Sequence, residues 1–323
     1  MLELSDPLWN KLDYAHGVGH VPAILSELAA SWDDESARSL LYDDLCHQKT
    51  CYGATYAAIP HLLKIAEPEE NGQQRREIAV FLGFVALCAR DQQNPDQLQG
   101  MPETIEGWDR KRDCYRSLVA MSEQPARPGS EYMTANLPRY REILAMEPVS
   151  AADLEKIISI KAEFFSALPA IRALCERALL EDEDEEAAPY LLSGIAAADG
   201  LLSIARLLNF GDEGLFKCAS CGQGYEFIRF DQRIAIYAEY PTGGVVRHAD
   251  DKGLSDYRQG APSRADGFLI PITEDCALDA GVAALLVLAK RTTGHRPALL
   301  LRHFAGSFVC CKCGVQGPMH SPY

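Results

Sequence analysis

A chain of 323 residues with 47% apolar side chains is long enough for one extended architecture or two ordinary domains, and it can bury a core. Its 46 acidic against 31 basic side chains give a formal charge of −15, which repels nucleic-acid phosphates and anionic lipid headgroups. No apolar run approaches the roughly 20 residues that span a bilayer, so neither nucleic acid nor membrane is an expected partner.

The opening MLELSDPLWN has neither a basic start nor an apolar signal core, which predicts a cytoplasmic protein. A proline-led string, Val21-Pro22-Ala23-Ile24-Leu25, returns as Ile59-Pro60-His61-Leu62-Leu63 and again as Leu168-Pro169-Ala170-Ile171. Proline suits the first position of a helix, where its missing N–H would have had no partner, so each string reads as a helix start. Apolar residues at helical spacing in Ser36 to Tyr42 and Tyr56 to Ile59 place a partner helix ahead. Two helices in a period of about 40 residues predict a mainly α fold, a HEAT/armadillo-like helical-repeat solenoid. Gly17-Val18-Gly19 reads as a turn between helices, and His47-Gln48-Lys49-Thr50 as a polar turn in which Thr50 caps the next helix.

Further amphipathic helices are expected over Arg75 to Ala89, Trp108 to Met121, Ala152 to Leu180 and Ala187 to Asn209, with loops at Asp91 to Pro102 and Gln124 to Glu131. Acidic residues recur between helices: Asp33, Asp34 and Glu35, then Glu69 and Glu70, then Glu181, Asp182, Glu183, Asp184, Glu185 and Glu186. Such runs are ordinarily solvated loops. If they line one edge of a solenoid they form a partner-binding surface that steers a basic protein.

At Gly211 the texture changes. Tyr225 to Phe230 and Arg233 to Tyr237 alternate as short strands do, Pro241 to Gly267 is loop-like, and helices return over Asp275 to Lys290 and Pro297 to Phe304. The expected organisation is a helical-repeat region over 1–210, and over 211–323 a small β-rich, zinc-ribbon-like element with C-terminal helices.

That second region holds two strings of one form, Cys218-Ala219-Ser220-Cys221-Gly222 and Cys310-Cys311-Lys312-Cys313-Gly314. In a zinc knuckle two thiolates bind one ion from a tight turn, and the following glycine lets the backbone adopt a positive φ close to sulfur. Cys218, Cys221, Cys310 and Cys313 are therefore the candidate ligands of a structural Zn2+, a closed set with no position for substrate water. The stretch between Cys221 and Cys310 is longer than in a compact ribbon and must be looped out. Cys311 and His320 are alternative donors. A pair of unrelated cysteine clusters and a redox CxxC are the competing readings, though a redox motif leaves the matched second knuckle unexplained. Of the eleven cysteines, the remaining Cys46, Cys51, Cys88, Cys114, Cys175 and Cys276 mostly fall in apolar helical contexts and read as buried free thiols.

For catalysis the best clusters are His16 and His20 near Asp13 and Tyr14, and His47 near Cys46, Cys51 and Tyr52. Neither carries a recognised arrangement, and GxxxxGK[ST], GxGxxG after a strand, HExxH and GxSxG are all absent from the sequence. A non-catalytic role is expected.

The residues Trp9-Asn10-Lys11-Leu12, Tyr14-Ala15-His16-Gly17, Val21-Pro22 with Leu25 and Leu28, and Leu45-Cys46-His47-Gln48-Lys49-Thr50-Cys51-Tyr52-Gly53-Ala54-Thr55 leading to Ile59-Pro60 resemble a family of bacterial HEAT-repeat-containing proteins. The likeness covers about residues 9 to 66. This chain departs from the family pattern at Lys49, where glycine is usual, and at Cys51, where an apolar residue is usual. The resemblance implies a solenoid of the kind found beside bacterial toxins, hence an immunity or other protein-binding role; with the acidic loops, the leading reading is an immunity protein that covers a basic effector. A general adaptor, and an enzyme using the helices as a platform, are the alternative readings.

Overall fold

The computed structural model describes residues 1–15, 17–47, 50–68, 72–91, 101–122, 137–181, 186–211, 213–230, 232–238, 265–273, 278–292 and 294–320. The chain is mostly helical, with a small β element toward the C-terminus, and its packing divides it into two compact units, Met1–Leu174 and Cys175–Tyr323. This division comes earlier than the change of texture at 210/211. Two helices that the sequence assigns to the repeat region pack instead with the C-terminal helices.

The first unit opens with a 3-10 helix, Pro7–Asn10, capped by the Asp6 carboxylate, which accepts from the Leu8 N–H at 2.9 Å. Strands β1 (Asp13–Tyr14) and β2 (Gly17–Val18) then form a short antiparallel pair, so Gly17-Val18 belongs to a hairpin where the sequence predicts a helix–helix turn. Helix α1 (Val21–Ala30) carries Pro22 in its first turn, as expected. Helix α2 (Asp34–Arg38) runs into a π-helical segment, Ser39–Leu45, and β3 (Cys46–His47) pairs with β4 (Thr50–Cys51).

Thr50 therefore lies in a strand and does not cap the next helix; Thr55 takes that role. Its Oγ1 accepts the Tyr52 N–H at 2.8 Å and donates to the Leu45 carbonyl, which fixes the start of α3 (Gly53–Ala66) at Gly53. Pro60 consequently sits inside α3, where it removes an interior N–H donor and crowds the carbonyl of Tyr56. Next come α4 (Gly72–Asp91), α5 (Ile105–Ser122), α6 (Leu137–Ala145) and α7 (Ala151–Glu181), and Pro169 likewise lies within α7. Of the three proline strings only the first marks a helix start.

α1 packs on α3, α3 on α4, and α5 on α6. Leu25 of α1, Phe81 of α4 and Phe164 of α7 are fully buried in the unit's core, as are Leu8 of the 3-10 helix, Leu12, and Leu40 and Leu41 of the π-helical segment. Asp13 and Lys111 are buried as an ion pair at 2.9 Å, and the Asp13 carboxylate also accepts from the Tyr115 hydroxyl and the Gly53 N–H, both at 3.3 Å. With all its lone pairs directed at donors, this carboxylate ties β1 to α3 and α5.

In the second unit α8 (Ala188–Ala198) and α9 (Leu202–Phe210) pack together and against α10 (Ala280–Ala289) and α11 (Arg296–Phe304). The single helix expected over Ala187 to Asn209 is thus two, divided at Asp199-Gly200-Leu201. Strands β5 (Glu213–Cys218), β6 (Gly224–Phe230), β7 (Arg233–Ala238), β8 (Gly267–Phe268) and β11 (Met319–His320) form an antiparallel sheet in the order β11-β5-β6-β7-β8. A separate hairpin pairs β9 (Phe308–Val309) with β10 (Gln316–Gly317).

Among the described residues no helix is long and apolar enough to cross a membrane. Most of the loops expected at Asp91 to Pro102, Gln124 to Glu131 and Pro241 to Gly267 lie outside the described residues, as do His16 and Cys276.

Candidate metal centre

Both cysteine strings fold into the same turn. The Cys218 N–H donates to the Gln223 carbonyl at 2.8 Å and the Gly222 N–H to the Cys218 carbonyl at 2.9 Å. In the second string Cys310 N–H donates to Val315 at 3.0 Å and Gly314 N–H to Cys310 at 2.8 Å. Gly222 and Gly314 have φ of 71° and 70°, a conformation that costs a residue with a Cβ about 1–2 kcal/mol. The glycine after each CxxC thus closes the turn. The β5–β6 hairpin presents Cys218 and Cys221, and the β9–β10 hairpin presents Cys310 and Cys313.

The two turns face each other, with Cys218 Sγ 3.8 Å from Cys313 Sγ and Cys221 Sγ 3.6 Å from Cys310 Sγ. All four sulfurs lie within 4.8 Å of one another. A disulfide requires about 2.05 Å, and the four thiols are free. A tetrahedral ion with Zn–S bonds of about 2.3 Å gives S···S edges of about 3.8 Å, the spacing observed. This four-sulfur cluster has the geometry to hold a metal ion. Cys218 and Cys310 are buried, Cys221 is half-buried and Cys313 is exposed, so the site sits at the surface with the first cysteine of each string buried at the base of its hairpin turn.

Beneath it lies an aromatic cluster. Phe216 of β5 stacks on Tyr225 of β6 at 5.2 Å, and Phe308 of β9 meets both rings edge-on at 4.9 and 5.3 Å. Tyr225 also reaches the sulfurs. Its hydroxyl donates to Cys310 Sγ at 3.0 Å and accepts the Cys311 N–H at 3.0 Å. Burial alone would raise the Cys310 thiol, but the Tyr225 hydroxyl and the Cys313 and Lys312 backbone N–H groups hold it down to about 6. Cys221, though it accepts from the Gln223 backbone, is pushed up to about 11 by burial and by the neighbouring thiols.

Of the alternative donors, Cys311 is not part of the cluster: it is exposed, with its sulfur 3.2 Å from the Tyr225 hydroxyl. The His320 backbone, in β11, pairs with Lys217 of β5. Tyr225 carries no signal in the sequence beyond strand alternation, because its importance depends on the fold returning the chain's end to β6.

The acidic candidates divide by location. Asp33 and Glu35 are exposed, but Asp33 also caps α2 by accepting the Ser36 N–H at 2.8 Å, and Asp34 accepts from Trp32 Nε1 at 2.7 Å. Glu181 pairs with Arg177 at 2.9 Å, and Glu186 is exposed. Glu69, Glu70, Asp182, Glu183, Asp184 and Glu185 lie outside the described residues. Of the residues considered for catalysis, Asp13 is committed to Lys111, and the His47 backbone pairs with Thr50.

Compared with family models, curated proteins and solved structures, the chain gives no match.

Proposed function

We propose that this chain is a non-catalytic, cytoplasmic protein-binding scaffold whose second unit is stapled by a structural zinc ion, and that it acts as an immunity protein, covering a basic effector to neutralise it. The observation that carries the reading is the complete four-sulfur set. Four protein donors leave a zinc ion no open position for substrate or water, so the ion serves folding. The absence of disulfides among the described cysteines fits a reducing compartment. We read the first unit as HEAT-like, on the successive packing of α1, α3 and α4, which supplies a broad helical surface.

The formal charge of −15 favours a basic partner and raises the rate of encounter with it. Occlusion of an effector needs an interface of about 1,600 Å² or more, which a helical surface can offer without a preformed pocket. The test is affinity isolation of the full chain from its native host, with the co-purifying protein identified and titrated back at rising salt. A stoichiometric basic partner, weakened by salt and by Asp34→Lys with Glu35→Lys, is the expected result. An acidic or absent partner, or measurable turnover by the isolated chain, would overturn the reading.

A further inference from the structure

A second group of sulfurs converges in the first unit. Cys46 and Cys51 are directly opposed across the β3–β4 hairpin, with Sγ atoms 3.6 Å apart. Cys88 reaches them from α4, which packs against β4. The three sulfurs lie within 4.8 Å of one another, and their residues are 3%, 0% and 6% exposed. The sequence reads all three as ordinary buried thiols, and chain separation hides their convergence.

The surroundings define what such a site accepts. No histidine or carboxylate among the described residues joins the three sulfurs, so a tetrahedral ion lacks its fourth protein donor. Charge then discriminates among soft ions that take three sulfurs. Three thiolates around a monovalent ion leave two net negative charges, and around a divalent ion one, in a pocket where an uncompensated charge costs several kcal/mol. A trivalent ion leaves none.

We propose that Cys46, Cys51 and Cys88 form a second ligand site, separate from the four-cysteine centre, that takes a trivalent thiophilic ion of the arsenite class. Arsenous acid enters as a neutral molecule. Three S–H bonds and three As–O bonds break, three As–S bonds form, and three waters leave, with no change in oxidation state and no net charge. The ion sits as the apex of a three-sulfur pyramid, which one hairpin and one helix can supply from the same side.

The test is titration of the reduced, zinc-loaded full chain with sodium arsenite, followed by intact-mass measurement, zinc assay and arsenic X-ray absorption. The proposal expects one arsenic per chain with the loss of three hydrogens, three sulfur neighbours and no oxygen, and zinc fully retained. Cys88→Ala should weaken binding at least tenfold, and Cys114→Ala should leave it unchanged. No arsenic bound, arsenic bound only as zinc is released, or equal binding by Cys88→Ala would overturn it. So would isolation of the chain with a Cys46–Cys51 disulfide, or with zinc or copper(I) resident on these sulfurs. If Cys88→Ala does not fold, the wild-type absorption spectrum with zinc retained decides the matter.

Discussion

The Tyr225 hydroxyl donates to Cys310 Sγ at 3.0 Å, so a strand of the first hairpin holds a ligand presented by the second. This bond spans the gap that an ion on the four sulfurs would bridge, and it orients the Cys310 sulfur. Tyr225→Phe keeps the ring against Phe216 and Phe308 and removes only the hydroxyl. Competition with a chelator should then give a zinc affinity lower by about 10–100-fold, with the fold intact.

Removing a ligand should do far more. Zinc contributes about 10–16 kcal/mol to the folding of small zinc-finger peptides, comparable with the whole stability of a typical domain, about 5–15 kcal/mol. Cys218→Ser and Cys313→Ser are expected to lose the ion and unfold the β5–β6 and β9–β10 hairpins. Amide hydrogen exchange would register lost protection in those strands, with α1 to α4 unaffected.

The buried pair of Asp13 and Lys111 makes a prediction for the first unit. Lys111→Met leaves Asp13 buried without its cation and should cost about 3–5 kcal/mol in urea unfolding. The double variant Asp13→Asn with Lys111→Met should recover most of that loss, because neither charge is then stranded. Equal destabilisation by both variants would show that Lys111 acts through packing alone.

His303 gives a pH dependence. Burial holds it below its ordinary 6.5, against a hydrogen bond with the Leu299 carbonyl at 2.8 Å. Above pH 6.5 neither folded nor unfolded chain carries the proton. As the pH falls through 6.5 toward the lower folded value, the unfolded chain takes it up first and stability falls, by at most about 1.4 kcal/mol per pH unit. Unfolding at pH 7.5 and 5.5 with zinc in excess should expose this slope, and His303→Leu should flatten it.

The four-cysteine centre is legible in the sequence because each half is local: two thiols and a glycine within five residues determine a turn. The helices are legible for a similar reason, their periodicity running over several turns. Pro60 and Pro169 mislead because a proline favours a helix start without requiring one, and the Thr55 bonds to Tyr52 and Leu45 set the start of α3 seven residues earlier. Tyr225, Cys88 and Lys111 act on residues far away in the chain, where spacing carries no information. Only the fold brings them to Cys310, Cys46 and Asp13.

A zinc ion on Cys218, Cys221, Cys310 and Cys313 is proposed to hold the second unit together. The most direct measurement is zinc K-edge absorption on the purified full chain, together with elemental analysis. One tightly held zinc with four sulfur neighbours at about 2.3 Å, lost in Cys313→Ser, is the expected result. A metal-free chain of full stability, or zinc bound to nitrogen or oxygen, would contradict it.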